Sequence, residues 1–357
     1  MRLGRGALTL VNVHRLPVLL VTCLALILCT SPVVRGGQER EPSGQSRPEP
    51  ERRTYSYGPL PRQKLVAYSD GNPARPGPLR TGVVIVHGGF WYQDRSAGWN
   101  MWARRIAGAG PAVFNLGYRR NTDAAWPAQR VDVLRAVRWI GRHARQFGVD
   151  PHRIVLLGSS AGGQLATSAG AYGAGRRHLA GVVALSPVVD PYRSWSTANA
   201  PDGDSAGMAV LRANAARLAG CEPDPPHGQQ ERGQQRGGTH EGRGTERKAA
   251  LCRRVWQDMS ATEHASGADD PPMLLIHSRH DFVPVAHSEA LRAAELRRGM
   301  APGDITVATV PGAEHGGGLL TRSGVEKMVM SWIAARTPVS GDAGRGGGAS
   351  GAGGTHG

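Results

Sequence analysis

Arg153–Ala166 reads RIVLLGSSAGGQLA, and this stretch decides the fold. An apolar run suited to a buried strand, Ile154 to Leu157, meets the tight turn Gly158-Ser159-Ser160-Ala161-Gly162 and then a helix-forming segment. A nucleophile elbow needs that order. The strand end drives Ser160 into a strained turn, and glycine at 158 and 162 leaves room where side chains would clash. The helix beyond it points free N–H groups at negative charge developing beside the serine. A Gly-x-Ser-x-Gly pentapeptide alone is a weak signal in a chain with 50 glycines. The strand–turn–helix setting gives it weight.

On either side of the elbow, short apolar runs alternate with helical patterns. Val83 to Val86, ending at His87, and Ala112 to Leu116, ending near Tyr118, read as buried strands, as do Val182 to Leu185, Met273 to Ile276 and Ile305 to Val310. Ala128 to Phe147 carries Val131, Leu134, Val137, Trp139 and Ile140 at helical spacing. Helices are also expected over Ala161 to Ala169, Val285 to Leu296 and Val325 to Ala335. The alternation predicts an α/β fold with a mostly parallel sheet covered by helices on both faces.

A serine hydroxyl needs a base to take its proton, and the base needs a partner to orient it. His315 lies in Pro311-Gly312-Ala313-Glu314-His315-Gly316, just after a strand, and Asp281 lies just beyond the strand Met273 to Ile276. The chain order Ser160, Asp281, His315 is the one this fold class uses, and strand C-termini gather at one edge of such a sheet. Acyl transfer also needs donors for the oxyanion. His87-Gly88-Gly89-Phe90-Trp91 follows a strand, so the N–H groups of Gly88 and Gly89, with that of Ala161, are assigned to the oxyanion hole. Phe90 and Trp91 are assigned to the substrate pocket, core filling being the alternative. His277 and His280 are read as structural: His277 ends an apolar strand as a hydrogen-bonded core histidine, and His280 is adjacent to Asp281 in a short turn, where neighbours rarely face each other.

These residues carry a resemblance. HGGFW, PAQRVDVLRAVRWI (Pro127 to Ile140), GVDPHRIVLLGSSAGGQLA and HSRHDFVPV resemble the α/β-hydrolase superfamily. The similarity is to its carboxylesterase branch, with hormone-sensitive-lipase-like and feruloyl or acetyl-xylan esterase-like members, over roughly Leu65 to Ala335. It implies an eight-stranded, mostly parallel sheet with a small cap, and ester hydrolysis without a cofactor. Three positions depart from the family pattern: Phe90 replaces a third glycine, Ser159 an aspartate and Ser278 a glycine. The departure at Phe90 is also typical of arylformamidase-like members.

The expected organisation is a signal peptide over 1–36, a flexible linker over 37–54, the catalytic domain over 55–337 with a disordered polar insertion at 222–248, and a disordered Gly-rich tail over 338–357. Arg2, Arg5 and Arg15 precede the apolar segment Leu16 to Cys29, which is too short to span a bilayer comfortably. Leu28 stands where a lipoprotein signal needs a small residue, which favours secretion or free residence in the envelope over lipid anchoring. Cys221 and Cys252 remain beyond the signal and are expected to pair in an exported chain, two buried free thiols being the alternative. Neither shows metal-ligand spacing, and no metal site is expected.

The formal net charge of +15 is nearly half carried by residues 1–80, where twelve basic residues stand against five acidic ones. No zinc-finger spacing or aromatic RNA-binding motif accompanies it, so nucleic acid is not the expected partner. A solvated basic surface with weak affinity for an anionic envelope is. The expected activity is hydrolysis of short acyl esters, with a small-molecule or carbohydrate ester as substrate. Amide, formamide or exopeptidase chemistry on the same residues, and a non-catalytic envelope-binding role, are the alternatives. Oligomeric state stays open.

Overall fold

The computed structural model describes residues 50–69, 78–173, 175–196, 206–223 and 240–336. The expected signal peptide, most of the linker and the Gly-rich tail lie outside them.

Eight strands form one sheet among the described residues: β1 (Glu51–Ser56), β2 (Lys64–Ser69), β3 (Arg80–Val86), β4 (Ala112–Leu116), β5 (Val149–Ser159), β6 (Gly181–Leu185), β7 (Met273–Ser278) and β8 (Ile305–Val310). Their order across the sheet is β1-β2-β4-β3-β5-β6-β7-β8. β1 and β2 run antiparallel to their neighbours, and β3 to β8 are parallel. The helices are α1 (Asn100–Gly108), α2 (Ala128–Arg142), α3 (Ala161–Ala171), α4 (Pro191–Ser196), α5 (Ala206–Ala219), α6 (His240–Met259), α7 (Ala261–His264), α8 (Ala286–Arg297) and α9 (Val325–Ala335).

The central strands are apolar throughout because both faces are covered. Val84, Leu156, Val182 and Leu275 point to one core, joined by Val133, Ala136, Val137 and Ile140 of α2 and Leu165 of α3. Val83, Val155, Val183 and Leu274 point to the other, under Trp102 and Ile106 of α1 and Val325, Val329 and Ile333 of α9. The apolar positions of α2 and α9 recur every three or four residues, which places them on one side of each helix.

Register lines up the strand ends. Val86 stands opposite Gly158, Ser159 opposite Leu185, Leu185 opposite Ile276, and Ser278 opposite Val310. The loops that follow β3, β5, β6, β7 and β8 therefore leave the sheet along one rim.

Two expected boundaries are corrected. The linker does not extend to residue 54, because Glu51 to Ser56 pair with β2 from Glu51↔Ser69 to Ser56↔Lys64. The segment is polar because both faces of this edge strand are solvated; only Tyr55 turns inward, 5.3 Å from Phe147 and 5.7 Å from Trp139. The polar insertion is likewise not irregular throughout. Its residues 240–248 begin α6, whose buried Cys252, Trp256 and Met259 lie on one side. Residues 224–239 lie outside the described residues. Cys221 and Cys252 are disulfide-bonded with Cα atoms 6.0 Å apart, which joins the chain after α5 to α6. These helices belong to the insertion between β6 and β7 that forms the cap.

Candidate active site

The elbow forms because only glycine fits around it. A Cβ on Gly162 would lie 2.1 Å from the carbonyl oxygen of Val86, and one on Gly158 would lie 2.4 Å from that of Gly162. With β3, β5 and α3 packed this closely, Ser160 is forced to φ +54° between the last residue of β5 and the first of α3. That is a sparsely populated region for a side-chain-bearing residue.

The rim brings Ser160, His315 and Asp281 together. Ser160 Oγ donates to His315 Nε2 at 2.7 Å, and His315 Nδ1 donates to Asp281 Oδ1 at 2.8 Å. The Asp281 side chain is fully buried, whereas that of His315 keeps 23 % exposure toward the site mouth. Asp281 Oδ1 also accepts the Val283 N–H at 3.0 Å, and Oδ2 accepts the hydroxyl of Ser186.

Gly88 sits over the nucleophile. A Cβ there would lie 2.8 Å from the carbonyl oxygen of Ser159 and 3.2 Å from Ser160 Cβ. Tyr118 fixes this turn by donating to His87 O at 2.7 Å and stacking on the His87 ring at 4.6 Å. Burial lowers the His87 imidazole from its usual range, and its Nδ1 lies 2.7 Å from Gly88 O. Among the described residues, the N–H groups of Gly88, Gly89 and Ala161 donate to no protein acceptor. They are free to meet a negative oxygen beside Ser160.

The structure corrects one pocket residue. Trp91 is fully buried in the core and donates its indole N–H to Gln164 Oε1 at 3.0 Å. Gly89, Phe90 and Trp91 adopt φ of +116°, +52° and +60° in succession, a conformation that sequence patterning does not reveal. Phe90 is half-buried, its ring 6.3 Å from that of Phe282, which lies 4.2 Å from the His315 ring. Phe282 and Ser186 are additions that sequence reading missed, although Asp281-Phe282 and the end of the Val182–Leu185 run both pointed to this rim.

His277 and His280 stay outside the constellation. His277 is fully buried, donates from Nδ1 to Val283 O at 3.2 Å and accepts the Ser288 hydroxyl at Nε2 at 2.7 Å. Burial pushes it down to about 4, so it is neutral. His280 is exposed. Among the described residues, no group of three or more His, Cys, Asp or Glu side chains is arranged to hold a metal ion.

The family model BD-FAE matches residues 72–187, the span holding the His-Gly-Gly turn and the elbow. Esterase LipC of Mycobacterium tuberculosis is 26% identical over 279 residues, covering 75% of this chain and 60% of LipC. Carboxylesterase NlhH of the same organism is 38% identical over 84 residues, 23% of this chain and 26% of NlhH. Among solved structures, esterase B from Lactobacillus rhamnosis superposes with a TM-score of 0.59 at 20% identity, covering 82% of this chain and 86% of that one. These comparisons make the chain similar to carboxylesterases, and its fold is that of α/β-hydrolase esterases.

The chain spans less than two thirds of the length of either curated relative. Its cap is fastened to the hydrolase core next to the site. Gln164, beneath the elbow, donates to Met259 O of α6 at 2.7 Å, and Arg130 of α2 forms a two-pronged ion pair with Asp258.

Proposed function

We propose that this hydrolase is a serine esterase that cleaves short-chain carboxylic esters. The hydrogen-bonded line from Ser160 through His315 to Asp281, with unengaged backbone N–H groups opposite it, carries the reading. In this reading His315 Nε2 takes the Ser160 proton as Oγ attacks the ester carbonyl, and the carbonyl oxygen becomes negative facing Gly88, Gly89 and Ala161. His315 then gives the proton to the departing alcohol, leaving an acyl-serine. Water deprotonated by the same imidazole attacks the acyl-serine, releasing the carboxylic acid and returning the proton to Ser160. Asp281, its side chain buried, holds the imidazole with Nε2 toward the serine and stabilises its cationic form.

The names of the relatives, an esterase and a carboxylesterase, support an ester over an amide. Small acyl groups are supported by the aromatic wall beside the base. Phe282 is flanked by His315 and Phe90, and a Cβ on Gly207 of α5 would lie 3.3 Å from its ring, so the cap helix closes in on that side. Ser160→Ala should abolish p-nitrophenyl acetate hydrolysis in a protein that still folds. Retained turnover would refute the assignment.

Export is part of the proposal. The Cys221–Cys252 disulfide and the arginine-flanked apolar N-terminal segment support an oxidising, non-cytosolic location. The net charge supports weak association with an anionic envelope. Fractionation of cells, with mass determination of the mature N-terminus, tests it, and an uncleaved cytosolic protein would count against export.

A further inference from the structure

Serine hydroxyls from three neighbouring strands fasten the loop that carries His315. Ser159, the last residue of β5, accepts the Gly317 N–H at 2.9 Å. Ser186, one residue beyond β6, accepts the Gly316 N–H at 2.9 Å. Ser278, the last residue of β7, donates to Glu314 O at 2.6 Å. All three serines are buried, so the bonds do not compete with bulk water. Two of these serines stand where the family resemblance expects an aspartate and a glycine.

Ser186 does more than hold the loop. Its single proton goes to Asp281 Oδ2, and its lone pairs take the N–H of the residue after His315. One hydroxyl thus touches the acid and the segment carrying the base. Ser186 is fully buried at φ +50°, and its own N–H is tied to Ile276 O at 2.7 Å. A non-glycine residue stays in that region only where its surroundings hold it there.

We infer that Ser186 is a positioning residue for the proposed ester hydrolysis, its hydroxyl setting both the placement of His315 and the charge that Asp281 presents to the imidazole. The inference rests on Ser160, His315 and Asp281 acting as proposed. A hydrogen bond donated to a carboxylate spreads its charge, and removing the bond concentrates charge on the oxygen facing His315. The imidazolium is then favoured, so the base stays protonated to higher pH. The other titratable groups around His315 are buried, neutral His277 from β7 and the Glu314–Arg322 ion pair of its own loop. Replacing Ser186 leaves all of these in place.

The test compares the unaltered protein with Ser186→Ala, Ser186→Gly and Ser278→Ala, each followed as kcat and KM for p-nitrophenyl acetate across pH. Glycine accepts the backbone conformation without strain, so it separates loss of the hydroxyl from backbone effects. Both Ser186 variants should lose about ten- to hundredfold in kcat with KM little changed. Their acid limb of kcat/KM should move up by about half a pH unit. Ser278→Ala should slow turnover without moving that limb. An unmoved limb in both Ser186 variants, or an equal movement in Ser278→Ala, overturns the inference. The low-field NMR signal of the proton between His315 Nδ1 and Asp281 gives a readout independent of turnover. It should shift in the Ser186 variants and hold in Ser278→Ala. An inactive unaltered protein would therefore count against the esterase reading, while an unshifted signal would count against Ser186.

Discussion

Trp91 and Gln164 join the turn after β3 to the helix beneath the nucleophile: the indole N–H meets Gln164 Oε1 at 3.0 Å, and both side chains are fully buried. The other end of the same amide donates to Met259 O of the cap. Gln164→Leu keeps the volume and strips both bonds, leaving a buried donor and a buried acceptor unpaired. Urea unfolding should register a loss of about 2–4 kcal/mol. Turnover should fall as well, because the Gly88–Gly89 turn loses its anchor. An unchanged unfolding midpoint would show that this bridge contributes nothing.

Gly88→Ala addresses the oxyanion site. The new methyl would crowd the Ser159 carbonyl and Ser160 Cβ, displacing the Gly88 and Gly89 amides. Loss of an oxyanion donor lowers kcat by about a hundred- to a thousandfold. That loss is expected here with little change in circular dichroism. Active-site labelling by a fluorophosphonate should slow in parallel.

Glu295 and Asp270 set a pH dependence of stability away from the catalytic rim. Both are fully buried. Burial, reinforced by the facing Asp270 carboxyl, pushes Glu295 up to about 8 from its ordinary 4.5. Asp270 is raised too, by burial first, with Asp269 adding like charge. The Gly267 N–H meets Glu295 Oε2 at 3.0 Å. Between 4.5 and about 8 the folded protein therefore holds a proton that the unfolded chain has lost. Stability from this pair is fully present below that window, falls as pH rises through it, and levels off above. Glu295→Gln should flatten the fall, read as urea midpoints from about pH 5 to about pH 9.

What the sequence made legible follows burial. β4, β8 and α9 have the boundaries their apolar patterns predict. β5 begins earlier than Ile154, because its first residues, Val149 to Arg153, include solvated polar side chains at a strand start. β1 and the start of α6 are hidden for the same reason: all of β1 but Tyr55, and residues 244–248 of α6, are exposed. α5 was hidden by its alanine-rich composition, although Leu211, Ala215 and Leu218 form a buried stripe. Ser160, Asp281 and His315 could be found because each follows an apolar strand, and strand ends converge. Ser186 follows one too, but a serine is common there, and its importance comes only from partners 95 and 130 residues away. Trp91 was misplaced because the inward direction of its ring depends on three successive positive φ angles.

The Cys221–Cys252 bond closes a loop across a sequence separation of 31 residues. Replacing both cysteines by serine should lower stability by roughly 3–4 kcal/mol in the chain-entropy model. The unaltered protein under reducing agent should show the same fall in urea midpoint. The double variant should no longer respond to the reductant.

Among the described residues, β1 ends the sheet with a row of backbone groups that no neighbouring strand occupies. Glu51, Arg52 and Arg53 all project from it into solvent. A second molecule adding its own strand there would have to strip these charged side chains of water. Such charged borders keep sheets from propagating between molecules. The charged residues of β1, read from the sequence as the end of a linker, thus form a border of the kind that disfavours an added strand.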